Sequence, residues 1–192
     1  MNEKVKELIF KFQHLGIETA ETGATLIGKA PHIALLAWLN KIYPTLDTDD
    51  IILLETKLKT TIPTEFKKFL MGFSNGLHIL NTTFCIDGLR RNYVRTANKV
   101  WQPFDLDIPN IYERPQNAKE SFFFIGGYDW DGSLLYIDKD TNVVHYCDRD
   151  NAASLFQWKS FEEMLISEIT RLYTLYDENG VQLDENMPTV PV

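Results

Sequence analysis

Four places along this chain hold residue types whose spacing could do chemistry. The first is Gly127-Tyr128-Asp129-Trp130-Asp131-Gly132, with Asp138 further on. Alternating carboxylates around a central glycine imitate a calcium loop, in which oxygen ligands wrap a hard cation and the glycine makes the sharp bend. Two ligand positions and that glycine fit. The first ligand position is Gly127, however, and the last is Asp138 rather than a longer bidentate Glu. The flanks read as strands where a calcium loop needs helices, so the segment is read as a β-turn with exposed acids. The second place, Gly23 to Lys29, has the glycine and lysine spacing of a phosphate-binding loop. Ala30 stands where Ser or Thr would ligate Mg²⁺, no buried strand precedes Gly23, and Pro31 sits inside the turn that should face the phosphate. It is read as a flexible loop.

The third place is the carboxylate pair Asp105-Leu106-Asp107, in a Pro-bearing loop with no apolar strand before it, and it is expected to be solvated. The fourth is a basic stripe, Arg90, Arg91, Arg95 and Lys99, of which the last three share a face if the segment is helical. Pairing with nearby acids accounts for it; a carboxylate or partner contact is the functional alternative. Among other reactive types, His14, His32, His78 and His145 show no one-turn ligand pair. Cys85 and Cys147 make neither a disulfide framework nor a four-ligand zinc site, and with no basic cluster beside them they read as buried, inert thiols. There is no Gly-x-Ser-x-Gly elbow. No catalytic, cofactor-binding or metal-binding residue is therefore assigned, and the chain is not read as an enzyme.

The 192 residues carry a net charge of −8, with 44% apolar, 24% charged and 12% aromatic residues, which excludes a disordered chain. An acidic balance argues against nucleic acid as a partner, because binding phosphates needs a basic face. The apolar run Ile33 to Leu39 is far short of the ~20 residues that cross a bilayer, so no membrane partner is expected. Met1-Asn2-Glu3-Lys4 lacks the basic start of a signal peptide. A cytoplasmic location is the expectation; the oligomeric state is not legible.

The elements that must position these residues follow from periodicity. Asn2 caps a helix with Val5, Leu8, Ile9, Phe12 and Leu15 on one face, stopped by Gly16. Residues 17–30 read as a loop. Pro31 opens a second helix carrying Leu35, Trp38, Leu39 and Ile42, so residues 1–45 form an N-terminal helical extension. Asp47-Thr48-Asp49-Asp50 starts a helix with Ile51, Leu54 and Leu58 inward, and Glu55 at its apolar edge needs a partner. Past Ile62-Pro63, a helix carries Phe66, Phe69, Leu70 and Phe73 and ends at Asn75-Gly76. Strands are expected at 77–80, 83–86, 122–125, 133–138 and 143–147, the last two forming a meander about Asp140-Thr141-Asn142. Ser160 and Glu163 make the capping box of a final helix with Glu168 as a polar exception on its inner face. Residues 177–192 read as a polar tail or a hairpin at Asn179-Gly180. The fold class is α+β: an antiparallel meander sheet with helices packed on it. Phe66, Phe69, Leu70, Phe124, Ile125, Phe161 and Leu165 should form one core.

Residues 50–76 resemble the opening of the SUKH superfamily: a helix with an internal Glu (Glu55), the apolar-Pro pair Ile62-Pro63, an aromatic-bearing helix with Phe66 and Phe69-Leu70, and Asn75-Gly76. Phe124-Ile125-Gly126, the Asp129 to Gly132 turn, Leu135-Tyr136-Ile137-Asp138 and Ser160-Phe161-Glu162-Glu163-Met164-Leu165 match its second half. The likeness covers roughly residues 47–170 and divides the chain into an extension (1–45), a SUKH-like domain (46–176) and a tail (177–192). Leu77 stands where a second Gly is frequent, and Met164 replaces an aromatic. The resemblance implies helices against an antiparallel sheet and no catalytic residues. Bacterial members commonly act as immunity proteins that neutralise a toxin domain, often a nuclease; fungal relatives regulate cell-wall synthesis through protein contacts.

An immunity-type protein with a basic toxin domain as its partner is the leading expectation. A regulatory scaffold binding a host protein is the alternative, and a small-ligand binder or enzyme using a cleft beside the sheet comes third. The meander brings the Asp129–Asp131 and Asp148–Asp150 turns to one edge. Asp129, Asp131, Asp148 and Asp150 are thus the candidate partner-binding acids, with Arg149 as their lone counter-charge. Trp130, an indole in an acidic turn, is expected to tuck back into the core; exposed, it would be a docking anchor.

Overall fold

The computed structural model describes residues 2–93, 96 and 99–191, and every strand in it pairs antiparallel with the next one along the chain. The sheet is a nine-stranded meander: β1 (Ile17–Thr19), β2 (Thr25–Lys29), β3 (Trp38–Ile42), β4 (Leu77–Ile79), β5 (Phe84–Ile86), β6 (Phe122–Tyr128), β7 (Leu134–Asp138), β8 (Val144–Cys147) and β9 (Phe156–Trp158). Among the described residues four α-helices join it: α1 (Glu3–Ile9), α2 (Thr48–Leu58), α3 (Thr64–Gly72) and α4 (Phe161–Leu172). The α+β class with a meander and packed helices is as the patterning implies.

Local chemistry sets the helix ends. The Asn2 side chain accepts from the Lys4 N–H at 2.9 Å. Asp47 accepts from the Asp50 N–H at 2.9 Å and Asp50 accepts in return from the Asp47 N–H, closing the box that starts α2. Ser160 accepts from the Glu163 N–H at 3.1 Å, but the Glu163 carboxylate takes the Lys159 N–H rather than that of Ser160. Glu55 has the partners its position demands: Lys67 of α3 at 2.6 Å and the Ile62 N–H at 2.9 Å, which tie α2 to α3 across the Ile-Pro link.

All four helices contribute side chains to one apolar cluster on one face of the sheet. At its centre the Phe66 ring meets Phe69, Phe123 and Phe161 at centroid distances of 6.1, 6.0 and 5.4 Å. Phe124 is buried but does not belong there: it packs with Tyr136, Cys147 and Ala152 on the opposite face. Strand side chains alternate, so Phe123 and Ile125 face the helices and Phe124 cannot join them.

The first forty residues depart furthest from their periodicity. Residues 17–30 are not a loop but β1, a tight turn and β2, and the segment read as a helix from Pro31 ends in β3. The helical reading fails because Leu35 is 82% exposed while Trp38 to Lys41 are buried on both strand faces, paired to β2 on one side and β4 on the other. The sheet thus runs from β3 into β4 without a break, and α1 packs on α4. β9 carries no clear signal and was not anticipated. The 177–192 segment turns at Asn179-Gly180, with the Asp177 N–H bonded to the Val181 carbonyl at 2.9 Å, and then buries Thr189 and Val190.

Phe66→Ala removes a ring that three others rest on. It should destabilise the protein by ~3–5 kcal/mol in chemical denaturation, whereas a loss below ~1 kcal/mol would mean that this face is not the core.

Candidate partner-binding cleft

The face of the sheet away from the helices is covered unevenly. One register row crosses it: Leu26, Lys41, His78, Cys85, Gly127, Leu134 and Cys147 lie opposite one another on successive strands. Residues so placed share a face. The two ends of the row are apolar and packed, Leu26 with Trp38 and Tyr43, and Cys147 with Phe124 and Tyr136. Between them, apart from Leu134, which packs against the Cys147 end, stand Lys41, His78, Cys85 and Gly127. Lys41 is buried with its ammonium on the Asn81 carbonyl and side-chain oxygen, both at 2.9 Å, and burial brings its pKa down to about 8. His78 is buried against Tyr43 and Phe104, and burial pushes its pKa well below the usual range. At Gly127, the β6 member of the row, a Cβ would meet the Ser133 carbonyl oxygen at 2.1 Å, so β6 passes β7 with no side chain to fill the face.

Over this bare stretch lies a cleft of about 700 Å³. Its floor includes Cys85, Gly127 and Leu134; its walls are the segment after β5 and the β6–β7 turn. Three clamps hold the first wall. The Asn75 side chain takes both backbone groups of Leu89, at 2.7 and 2.8 Å, so the Asn of the Asn-Gly pair does more than end a helix. Asn110, in a π-helical turn (Ile108–Tyr112), does the same to Phe124, at 3.0 and 2.8 Å, where β6 has run past the end of β5. Lys57 of α2 is ion-paired with both Asp105 and Asp107, and Asp105 also accepts from the Tyr93 hydroxyl at 2.6 Å. Burial works to lower the Lys57 pKa, and the two carboxylates outweigh it and raise it. Asp105 and Asp107 are therefore a buried structural pair, not the solvated pair the loop composition implies.

The acidic turns stand at the cleft mouth. Register pairs Leu134 with Cys147, which puts the 129–132 turn beside the loop that begins at Asp148. Asp129, Asp131, Asp148 and Asp150 are all exposed. Asp129 accepts from Thr82 at 3.0 Å and lines the cleft, while Asp131 accepts from the Ser133 N–H at 2.9 Å and shapes the turn. Trp130 is 45% exposed: with both flanking carboxylates in solvent, the turn projects the indole outward instead of tucking it back. Arg149 is not the counter-charge of these acids. It reaches Glu113 at 3.0 Å and so bridges the β8 loop to the first wall.

The basic stripe is divided. Arg91 pairs with Asp50 at 2.6 Å, and burial of that carboxylate is outweighed by this bond and the Asp47 N–H, which hold its pKa low. Arg90 lines the cleft and Lys99 a smaller one of about 350 Å³, and no helix forms among the described residues there; Arg95 lies outside the described residues. Both cysteines are buried and free, with burial raising their pKa values, that of Cys147 to about 12. Among the described residues no group of three or more His, Cys, Asp or Glu could hold a metal ion, and no helix is long and apolar enough to cross a membrane.

Asp87 was not singled out by any sequence signal. It follows β5, lines the cleft, is 7% exposed, and its carboxylate has no hydrogen bond or ion pair among the described residues. Burial, with the Asp105 charge nearby, pushes its pKa up to about 7. The native state then holds a proton that the unfolded chain has released above ~pH 4, so stability falls as pH rises from ~4 to ~7 and levels off beyond. Asp87→Asn should match the wild type in urea at pH 4 and exceed it by on the order of 2–4 kcal/mol at pH 8. Equal stabilities at pH 8 would show that Asp87 ionises without strain.

The comparison with curated proteins finds no match. Residues 45–167 match the model of the SMI1 / KNR4 family (SUKH-1), and that span begins just before the Asp47 cap and closes within α4. It takes in the Glu55 tie, the Asn75 clamp, the cleft and both acidic turns, and the chain belongs to the SMI1/KNR4 (SUKH-1) family.

Proposed function

We propose that this chain is a non-catalytic protein-binding module that neutralises a basic toxin domain by docking it across the cleft and the acidic turns. The observation that carries the reading is the continuity of the two: Asp129 and Gly132 belong both to the acidic edge and to the cleft lining. A single partner surface can thus meet charge at the rim and enter a cavity behind it. Tyr93 and Phe104 line the cleft and are exposed, and the exposed Tyr112 and Trp130 each adjoin a lining residue in sequence, Glu113 and Asp129, an aromatic display of the sort that anchors interfaces. Family membership supports the reading, since bacterial members commonly act as immunity proteins. The net charge of −8 suits a basic partner, because opposite fields raise encounter rates. A small-ligand binder is the second reading, favoured by the cleft volume alone, which lies in the ~300–1,000 Å³ range of such sites.

Asp148 and Asp150 are exposed and hold no bond within the chain among the described residues, so replacing them tests charge without disturbing the turn. Binding kinetics with the cognate basic toxin domain should show association slowed about three- to tenfold at low salt in Asp148→Asn/Asp150→Asn, with a flatter salt dependence. Trp130→Ala should instead speed dissociation about tenfold or more. Unchanged kinetics in both variants would place the docking surface elsewhere.

A further inference from the structure

Asp87 poses a problem that the acidic rim does not. Rim carboxylates stand in open solvent; Asp87 is buried to 7% exposure, keeps only the solvent that the cleft admits, and its carboxylate has no hydrogen bond or ion pair in exchange among the described residues. A buried charge without a counter-charge is unfavourable by several kcal/mol. Its acidic neighbour is already served, since Asp105 has the Tyr93 hydroxyl and Lys57. Arg90, the only cation in the described lining, does not relieve it. The Arg90 Nε donates to the Asn92 carbonyl at 3.2 Å, and its guanidinium lies 4.9 Å over the Tyr93 ring. The cleft therefore presents one unserved carboxylate behind aromatic walls, opening between Phe104 and the acidic turn.

We infer that Asp87 is the acceptor for an arginine side chain of the docked partner, which enters the cleft and pairs its guanidinium with the Asp87 carboxylate. This rests on the docking reading above and deepens it. Arginine fits better than lysine for a physical reason. A group that reaches a carboxylate this deep must shed its own water, and a guanidinium is less strongly hydrated than an ammonium, is planar enough to slide past aromatic faces, and offers two parallel donors. A divalent metal does not suit a site with one free carboxylate. A side chain suits it better than a free amine, because the mouth is continuous with exposed aromatics and acids that only a protein surface would cover. The raised pKa of Asp87 agrees: the group is held ready at a cost in stability that an entering cation removes.

The inference can be tested without the partner. N-acetylarginine amide is titrated into the full chain by ¹⁵N NMR, with N-acetylcitrulline amide as the neutral probe of the same shape. The arginine probe should give saturable shifts at the Gly126, Gly127 and Asp129 amides. The citrulline probe should bind about tenfold or more weakly. Asp87→Asn should abolish the shifts while keeping the folded spectrum. Equal response to the two probes, no saturable shift at these amides, or persistence of the arginine response in Asp87→Asn would overturn the inference. The wild-type pair of probes decides the matter even if the variant does not fold. Asp148→Asn/Asp150→Asn should leave the arginine response within about twofold, since neither residue lines the cleft. Altered partner kinetics in that variant with no arginine response would therefore sink this inference and leave the docking reading standing; an arginine response with unchanged kinetics in both that variant and Trp130→Ala would sink the docking reading.

Discussion

A sheet has two faces, and in this chain all four helices lie against one of them. That imbalance governs the rest. The helix side closes around Phe66, Phe69, Phe123 and Phe161 as an ordinary aromatic core. The other side must be covered by loops, and loops carry backbone groups that need partners of their own. Asn75 and Asn110 supply those partners by clamping the backbone of Leu89 and Phe124, and Lys57 fixes Asp105 and Asp107. The cover so made seals the two ends of the face and leaves its middle open. The cleft follows from where these clamps sit.

The proposed docking uses that opening. A buried carboxylate in a rigid, half-covered cavity is not what stability alone would choose, because an apolar residue or an Asn would be better tolerated there. The same stretch carries Lys41 and His78, both buried, and loss of water lowers the pKa of both, that of Lys41 to about 8. The outer rim is the reverse: Asp129, Asp131, Asp148 and Asp150 remain hydrated, which keeps their mutual repulsion tolerable in the free protein. In the proposed docking, long-range steering and short-range capture are separated in space, rim and floor, on one surface.

Much of this was legible beforehand, and the parts that were not share a cause. Helix caps at Asn2, Asp47 and Ser160 are local chemistry and stand where their residue types put them. Register arithmetic brought the two acidic turns together, because a meander leaves only one geometry for alternate turns. The stretch from 17 to 42 misled because Leu35, Trp38, Leu39 and Ile42 satisfy a helical period by chance. A strand buried on both faces, with Asn40 and Lys41 inside it, shows no alternation to oppose that period. Asn40 is satisfied by the Ile9 carbonyl, the Tyr173 hydroxyl and the Leu80 N–H, partners from three separate elements. Asp87 and Asn110 carry no signal, and Asp105 reads as solvated when it is buried, for a related reason. Their roles depend on contacts such as the Gly88–Asp105 bridge within a segment that has no period at all.

Asp87 is buried and its carboxylate has no hydrogen bond or ion pair among the described residues, and the proposed docking brings it a cation. ¹³C-carboxyl NMR of Asp87 across pH, in the free protein and in complex with the partner, measures that most directly. The account predicts a midpoint pushed up to about 7 in the free protein, falling to ~4 or below once the partner is bound. A midpoint near ~4 in the free protein, or one still near 7 in the complex, would contradict it.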